Sequence, residues 1–177
     1  MPIMKCQEIF TIGYGGLSQD EFITSLLQFK IECLVDIREL PISRKQGFAK
    51  TALKERLKAE GIEYHHFRML GSPKIHRHEV RETRNYKKFF SAMDKHLTQS
   101  QAVEDINNVI DLSKSMRSCL MCYCPNWEKC HRKPVIEVIG NNIAVRFSHI
   151  LNGQDHIELY HQDDFLKSSN TKSRRAA

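Results

Sequence analysis

At 177 residues with 41% hydrophobic and 27% charged content, the chain has an ordinary globular composition, and one domain able to bury a core without staples is the default. No apolar run approaches membrane-spanning length and Met1–Gln7 lacks an export signal's apolar stretch, which excludes a membrane protein and predicts a cytoplasmic one. Its six cysteines then read as reduced thiols rather than a disulfide framework, and the +6 charge is a weak pointer to an anionic partner, because part of it sits in a tail, residues 167–177, whose Ser, Lys and Arg content predicts disorder.

Glu8–Ile12, β-branched and apolar, predicts a first strand, ended by the turn Gly13-Tyr14-Gly15-Gly16. Ser18 and Glu21 have capping-box spacing ahead of Phe22, Ile23, Leu26 and Leu27, one face of a helix ending near Lys30. Cys33–Arg38 predicts a second strand, apolar enough for cover on both faces, as parallel strands have. Pro41 ends its ladder, and Ser43–Gly47 is a polar loop. Lys50–Glu60 predicts a helix stopped at Gly61, and Ile62–Phe67 a third strand. Arg68–Arg84, with Gly71, Pro73 and many Lys, Arg and His, has no regular pattern. Tyr86–Leu97 and Gln101–Met116 carry apolar residues at helical spacing.

Cys119–Cys122 predicts a buried strand, followed by a loop containing Pro125 and the single Trp. Lys133–Asn141 predicts a helix with Pro134 in its first turn, where a missing N–H costs nothing. Ile143–Phe147 completes the main strands, and Ile157–Tyr160 reads as a short extra one. Strands alternating with helices predict an α/β fold: a single three-layer domain over residues 1–166, with a mainly parallel sheet of about five strands.

A parallel sheet gathers its strand ends at one edge, where ligands of open α/β sheets bind. The Gly13 turn, the Asp36–Arg44 loop, the Arg68–Lys74 loop and the Cys122–Arg132 loop would meet there. Buried charges need partners. Asp36 is therefore either half of a structural pair with Arg38 or Arg132, or a catalytic carboxylate held beside guanidinium groups. Cys130, His131 and Arg132 open a helix, whose amino end favours anions and thiolates. They supply a candidate nucleophile, a proton carrier and a cation.

Arg38, Arg44 and Arg132 are expected to share an anion site, with Tyr14 and Gly15 bringing backbone up to a phosphate. That turn lacks the third glycine spacing of a dinucleotide fingerprint, and a plain turn is the better reading of it; Arg44 and Lys45 read equally as a solvated loop. Cys122, Cys124, Cys130 and His131 could together ligate a metal, but Cys-x-Cys followed by adjacent Cys-His is not the usual zinc spacing, and no metal or cofactor is expected. A cysteine-phosphatase loop needs Cys, five residues, then Arg; the sixth residue after Cys122 is Glu128 and after Cys124 is Cys130, which excludes it. Cys33 and Cys119, inside strands, read as core thiols.

The segments Thr11-Ile12-Gly13-Tyr14, Val35 to Arg44, Gly61-Ile62-Glu63-Tyr64, and Leu120-Met121-Cys122 with Cys130-His131-Arg132 resemble the domain of unknown function 488 family over roughly Ile9 to Phe147. The resemblance implies one α/β domain with these segments at one sheet edge, and no settled activity. The family commonly has an acidic residue two after the first Cys, where this chain has Cys124. The expected function is an enzyme acting on a phosphate-bearing substrate, a nucleotide or nucleic-acid component, through Asp36, Cys130 and His131. A non-catalytic module binding such an anion or nucleic acid, and a structural thiol or zinc site without turnover, stay open.

Overall fold

Strand-forming runs separated by amphipathic helices build one sheet covered on both faces. The computed structural model describes residues 7–151 and the backbone of 157–160; the basic tail lies outside the described residues. The strands are β1 (Gln7–Gly13), β2 (Cys33–Asp36), β3 (Glu63–His66), β4 (Ser118–Cys122), β5 (Val145–Ile150) and β6 (Ile157–Tyr160), in spatial order β3-β2-β4-β1-β5-β6. The first five are parallel, and β6 pairs antiparallel with β5.

The helices are α1 (Gln19–Gln28), α2 (Lys50–Ala59), α3 (Lys74–Thr83), α4 (Tyr86–Leu97), α5 (Ser100–Ser115) and α6 (Arg132–Asn142). Alternation along the strands splits the core in two. Phe10, Ile12, Leu34 and Met121 face α1 and α2 through Phe22, Leu26 and Leu53. Ile9, Val35 and Leu120 face α4, α5 and α6 through Met93, Ile106 and Val135. Leu120 is fully buried in the middle of this stack, so truncating it to Ala costs about 2–5 kcal/mol. Among the described residues no helix is long and apolar enough to cross a membrane.

The strand order places the site. From β1 the chain passes over α1 to β2, beyond β4; from β4 it passes over α6 to β5, beyond β1. Adjacent β1 and β4 thus send their connections to opposite faces, and the gap between their carboxyl ends is the switch point where such sheets bind ligands.

Three elements differ from the sequence pattern. Helix α3 lies inside Arg68–Arg84, where no regular structure was expected; Ile75 and Val80 are its only apolar residues, and none of its residues is buried. Strand β2 stops at Asp36, and Arg38 lies beyond the ladder. Strand β5 runs three residues past Phe147, which brings His149 into the core.

Candidate functional site

Strand β4 delivers Cys122 to the carboxyl edge. The following loop closes through a short turn, Trp127–Lys129, where the Asn126 side chain accepts from the Glu128 and Lys129 N–H groups. Cys130 follows and α6 begins at Arg132. This loop lies directly on the end of β1: Tyr14 N donates to Cys122 O at 3.0 Å and Gly15 N to Tyr123 O at 2.8 Å. A Cβ on Gly13 would come within 1.8 Å of Cys124 O. Glycine is required here because two backbones meet, and those N–H groups of Tyr14 and Gly15 are committed to the protein rather than aimed at an anion.

Three thiols gather under the loop. Cys122 Sγ and Cys130 Sγ are 2.9 Å apart, within hydrogen-bond reach, and the Cys122, Cys124 and Cys130 sulfurs all lie within 4.8 Å of one another. Cys124 N donates to Cys122 Sγ at 3.2 Å. The backbone N–H and the Nε of Arg132 each donate to Cys130 Sγ at 3.4 Å. Its remaining donors reach Thr11 Oγ1 at 3.2 Å, Cys124 O at 2.5 Å and Pro125 O at 3.3 Å. Arg132 is 1% exposed, and among the described residues it forms no ion pair with a carboxylate.

A buried guanidinium needs an anion, and Cys130 is placed to be it. Burial pushes the Cys130 thiol up, but hydrogen bonds from Cys122 and Cys124, the Arg132 charge and the His131 ring outweigh it and hold Cys130 well below the usual thiol range. Cys122 goes the other way, pushed up by burial and by donating to its neighbours. Cys124 is lowered by its bond with Cys122 but raised further by donating to Cys130 and by burial, to about 11. One proton-poor sulfur thus sits between two proton-rich ones.

Behind Arg132 the network continues. Thr11 Oγ1, which accepts from Arg132, also shares a hydrogen bond with His149 Nδ1, 2.6 Å away. His149 stacks on Trp127, centroids 3.9 Å apart. Burial and then the Arg132 charge push its pKa down to about 3, so the ring is neutral.

The second group lies on the α1/α2 side of the sheet. Asp36 is fully buried and pairs with Arg38, whose Nε and Nη2 reach the carboxylate at 2.9 Å and 2.6 Å. The same carboxylate accepts from Arg38 N at 3.1 Å and the Tyr64 hydroxyl at 2.6 Å. Arg38 Nη1 donates to Tyr14 Oη and Phe48 O. Burial pushes Tyr64 up, helped by the Asp36 charge. With its oxygens engaged by four donors, Asp36 positions Arg38, and its partner is Arg38, not Arg132.

His131 lies between the groups: its Nε2 donates to Ile37 O at 2.8 Å, leaving Nδ1 3.8 Å from Cys130 Sγ. Arg44 is exposed. The three arginines therefore do not converge as one cradle; Arg38 and Arg132 are spent on different buried anions. Cys122, Cys124 and Cys130 form the group close enough for one soft metal ion. Two thiolates sharing a tetrahedral zinc at about 2.3 Å would sit about 3.8 Å apart. The 2.9 Å Cys122–Cys130 spacing is shorter than that. The described cysteines are free thiols. Thr11 and Tyr64 entered only within the segments of the family resemblance and His149 not at all; for Thr11 and His149 a polar residue at a buried strand position was the available signal.

No curated protein and no solved structure matches the chain. One family model, described as domain of unknown function DUF488, matches residues 18–139, more than half of the chain and inclusive of Asp36, Arg38, Cys122, Cys130, His131 and Arg132, and the protein therefore belongs to the DUF488 family.

Proposed function

We propose that this protein is an enzyme that uses the Cys130 thiolate as a nucleophile on a phosphate-bearing substrate, a nucleotide or nucleic-acid component. The observation that carries the reading is the pairing of Cys130 with a buried Arg132 at the strand switch point, since a stabilised thiolate beside an imidazole is a nucleophile with a proton carrier at hand. Arg132 holds the charge, Cys122 and Cys124 hold the thiolate by hydrogen bonds, and His131 Nδ1 handles protons. Cys130 is itself buried, and the accessible groups next to it in the loop are Cys124, which is half-buried, and Tyr123, which is 57% exposed.

Phosphate recognition falls to the rim. Lys129 and Lys133 flank the Cys130 segment, with their ammonium groups over the rings of Tyr86 and Phe90 at the start of α4. Lys87, Lys88, Lys95, His76 and His96 then line an open cleft of about 680 Å³ between α3 and α4. This basic track also favours the second reading, a module that binds nucleic acid without converting it.

Turnover decides between them. The protein is incubated with nucleotides and short oligonucleotides and the products are read by mass spectrometry. Conversion by the wild type, lost in Cys130→Asp, which keeps an anion beside Arg132 but removes the sulfur, supports the enzyme. Steeply salt-dependent binding without conversion supports the module.

A further inference from the structure

We infer that Cys122 and Cys130 are a redox-active dithiol whose reduced form is the favoured one, making the protein an oxidising thiol–disulfide exchanger. The inference rests on the thiolate of the proposed enzyme and on nothing about that enzyme's substrate. Its geometric basis is the 2.9 Å approach of the two sulfurs next to a guanidinium that is 1% exposed.

Each step balances. Cys130 thiolate attacks one sulfur of a low-molecular-weight disulfide, RS–SR. A Cys130–S–S–R bond forms and one RS⁻ leaves. Cys122 then gives its proton to that thiolate and attacks Cys130 Sγ, expelling the second RS⁻ and closing the Cys122–Cys130 bond. The protein loses two electrons and the small disulfide becomes one thiol and one thiolate, which takes its proton from water. The Cys124 sulfur lies within 4.8 Å of both others, and Cys124 is the least buried of the three.

The direction of the equilibrium follows from Arg132. In the dithiol its charge is met by Cys130. In the disulfide the thiolate is gone, and the guanidinium keeps only neutral acceptors, Thr11 Oγ1, Cys124 O and Pro125 O. A buried charge without an anion is unfavourable, so oxidation is resisted and the disulfide, once formed, is passed on readily. Stabilising the reduced form is the general route to an oxidising dithiol. By the same cycle the oxidised protein unfolds more easily than the reduced one, the reverse of an ordinary structural disulfide.

The full-length protein is equilibrated at pH 7 in graded mixtures of reduced and oxidised glutathione, quenched in acid, alkylated and mapped by mass spectrometry. The expected product is a Cys122–Cys130 bond. Half-oxidation should need a mixture at least about ten-fold more oxidising than one that half-oxidises a thioredoxin-type dithiol. The oxidised form should melt below the reduced one. Arg132→Met should move the midpoint at least about ten-fold toward the disulfide, and Arg132→Lys should stay near wild type. Should the Met variant not fold, the melting comparison and the Lys variant carry the test. Absence of a Cys122–Cys130 bond in every mixture, an oxidised form melting above the reduced, or one zinc per chain after chelator-free purification would overturn the inference. Iodoacetamide labelling of Cys130 at pH 6 is read in parallel. Slow labelling sinks the thiolate, and the enzyme reading with it; fast labelling without a disulfide sinks the redox inference alone.

Discussion

Arg132 and Cys130 neutralise each other inside the protein: the guanidinium Nε and the Arg132 N–H both point at Cys130 Sγ from 3.4 Å, with the arginine 1% exposed. Most buried arginines are held by carboxylates, which change charge only in acid. Here the anion is a sulfur that can be protonated, oxidised or alkylated near neutral pH, so part of the fold's stability is conditional on the chemistry of the site.

That condition gives the first prediction. Cys130→Ser is close in size but carries no charge, and it leaves Arg132 unpaired. It should lose about 3–5 kcal/mol in urea unfolding at pH 8, the usual consequence of removing one partner of a buried pair. Cys130→Asp should recover most of that loss. If Ser and Asp variants are equally stable, Arg132 does not depend on an anion at this position.

The second prediction is the pH profile. Cys130 titrates below its unfolded value of about 8.5, so its contribution is complete above that pH and is lost as pH falls through the folded value. Cys33 and Cys124 are pushed up to about 11, and Cys119 and Cys122 also upward. Their contributions are complete below about 8.5 and are lost as pH rises toward their folded values. Wild-type stability should therefore rise from pH 6.5 to a maximum near about pH 8.5 and then fall. The rising limb should be shallower in Cys130→Ser. Equal slopes in the two proteins would mean that Cys130 is not an anion in the folded state.

What the sequence made legible was what is local. The Ser18–Glu21 capping box is present as spaced, with Glu21 N donating to Ser18 Oγ and Ser18 N to Glu21 Oε2. Cys130, His131 and Arg132 do open a helix, and Asp36 and Arg38, two residues apart, do meet. The rest depended on pairing across the sheet. Thr11 stands opposite His149 in the β1/β5 register, more than a hundred residues away in sequence, and no spacing rule reaches that far. The expected union of Arg38, Arg44 and Arg132 assumed that one edge means one pocket. The sheet has two faces at that edge, and alternation puts Asp36 with Arg38 on one and the thiols on the other.

Gly13 offers the third prediction. An added Cβ meets Cys124 O at 1.8 Å and Pro125 Cα at 2.9 Å, and both are backbone-fixed. Gly13→Ala must push the cysteine loop off β1, lengthening the Tyr14 N to Cys122 O bond. It should destabilise the protein by about 1–3 kcal/mol, as overpacking does. It should also slow Cys130 labelling by iodoacetamide at pH 6.5, because the loop carries two of the thiolate's partners. Unchanged labelling with lowered stability would show that the loop's seat on β1 does not set the thiolate.

The last prediction concerns His149, the residue farthest from any sequence expectation. It is fully buried, hydrogen-bonded to Thr11 Oγ1 through Nδ1 and lies flat on Trp127. A second cation there would face Arg132 across one hydroxyl. Burial, then that charge, push its pKa down to about 3, against about 6.5 in the unfolded chain. Below pH 6.5 the unfolded chain binds a proton that the folded protein refuses, so stability is complete above 6.5 and is lost as pH falls toward the folded value. At about 1.4 kcal/mol per unit, the loss by pH 4 is on the order of 3 kcal/mol. Other groups titrate over the same range, so the difference between wild type and His149→Gln is the quantity to follow. Gln keeps a hydrogen-bonding group for Thr11 but cannot take a proton. The variant should be the less stable at pH 7, where the ring's stacking is lost. Its deficit should shrink by about 3 kcal/mol on going to pH 4, as wild type loses what the variant never had. Urea midpoints at half-unit pH intervals measure this. A deficit that stays constant would mean His149 titrates normally, and that the chain from Cys130 through Arg132 and Thr11 to His149 is not the connected network described above.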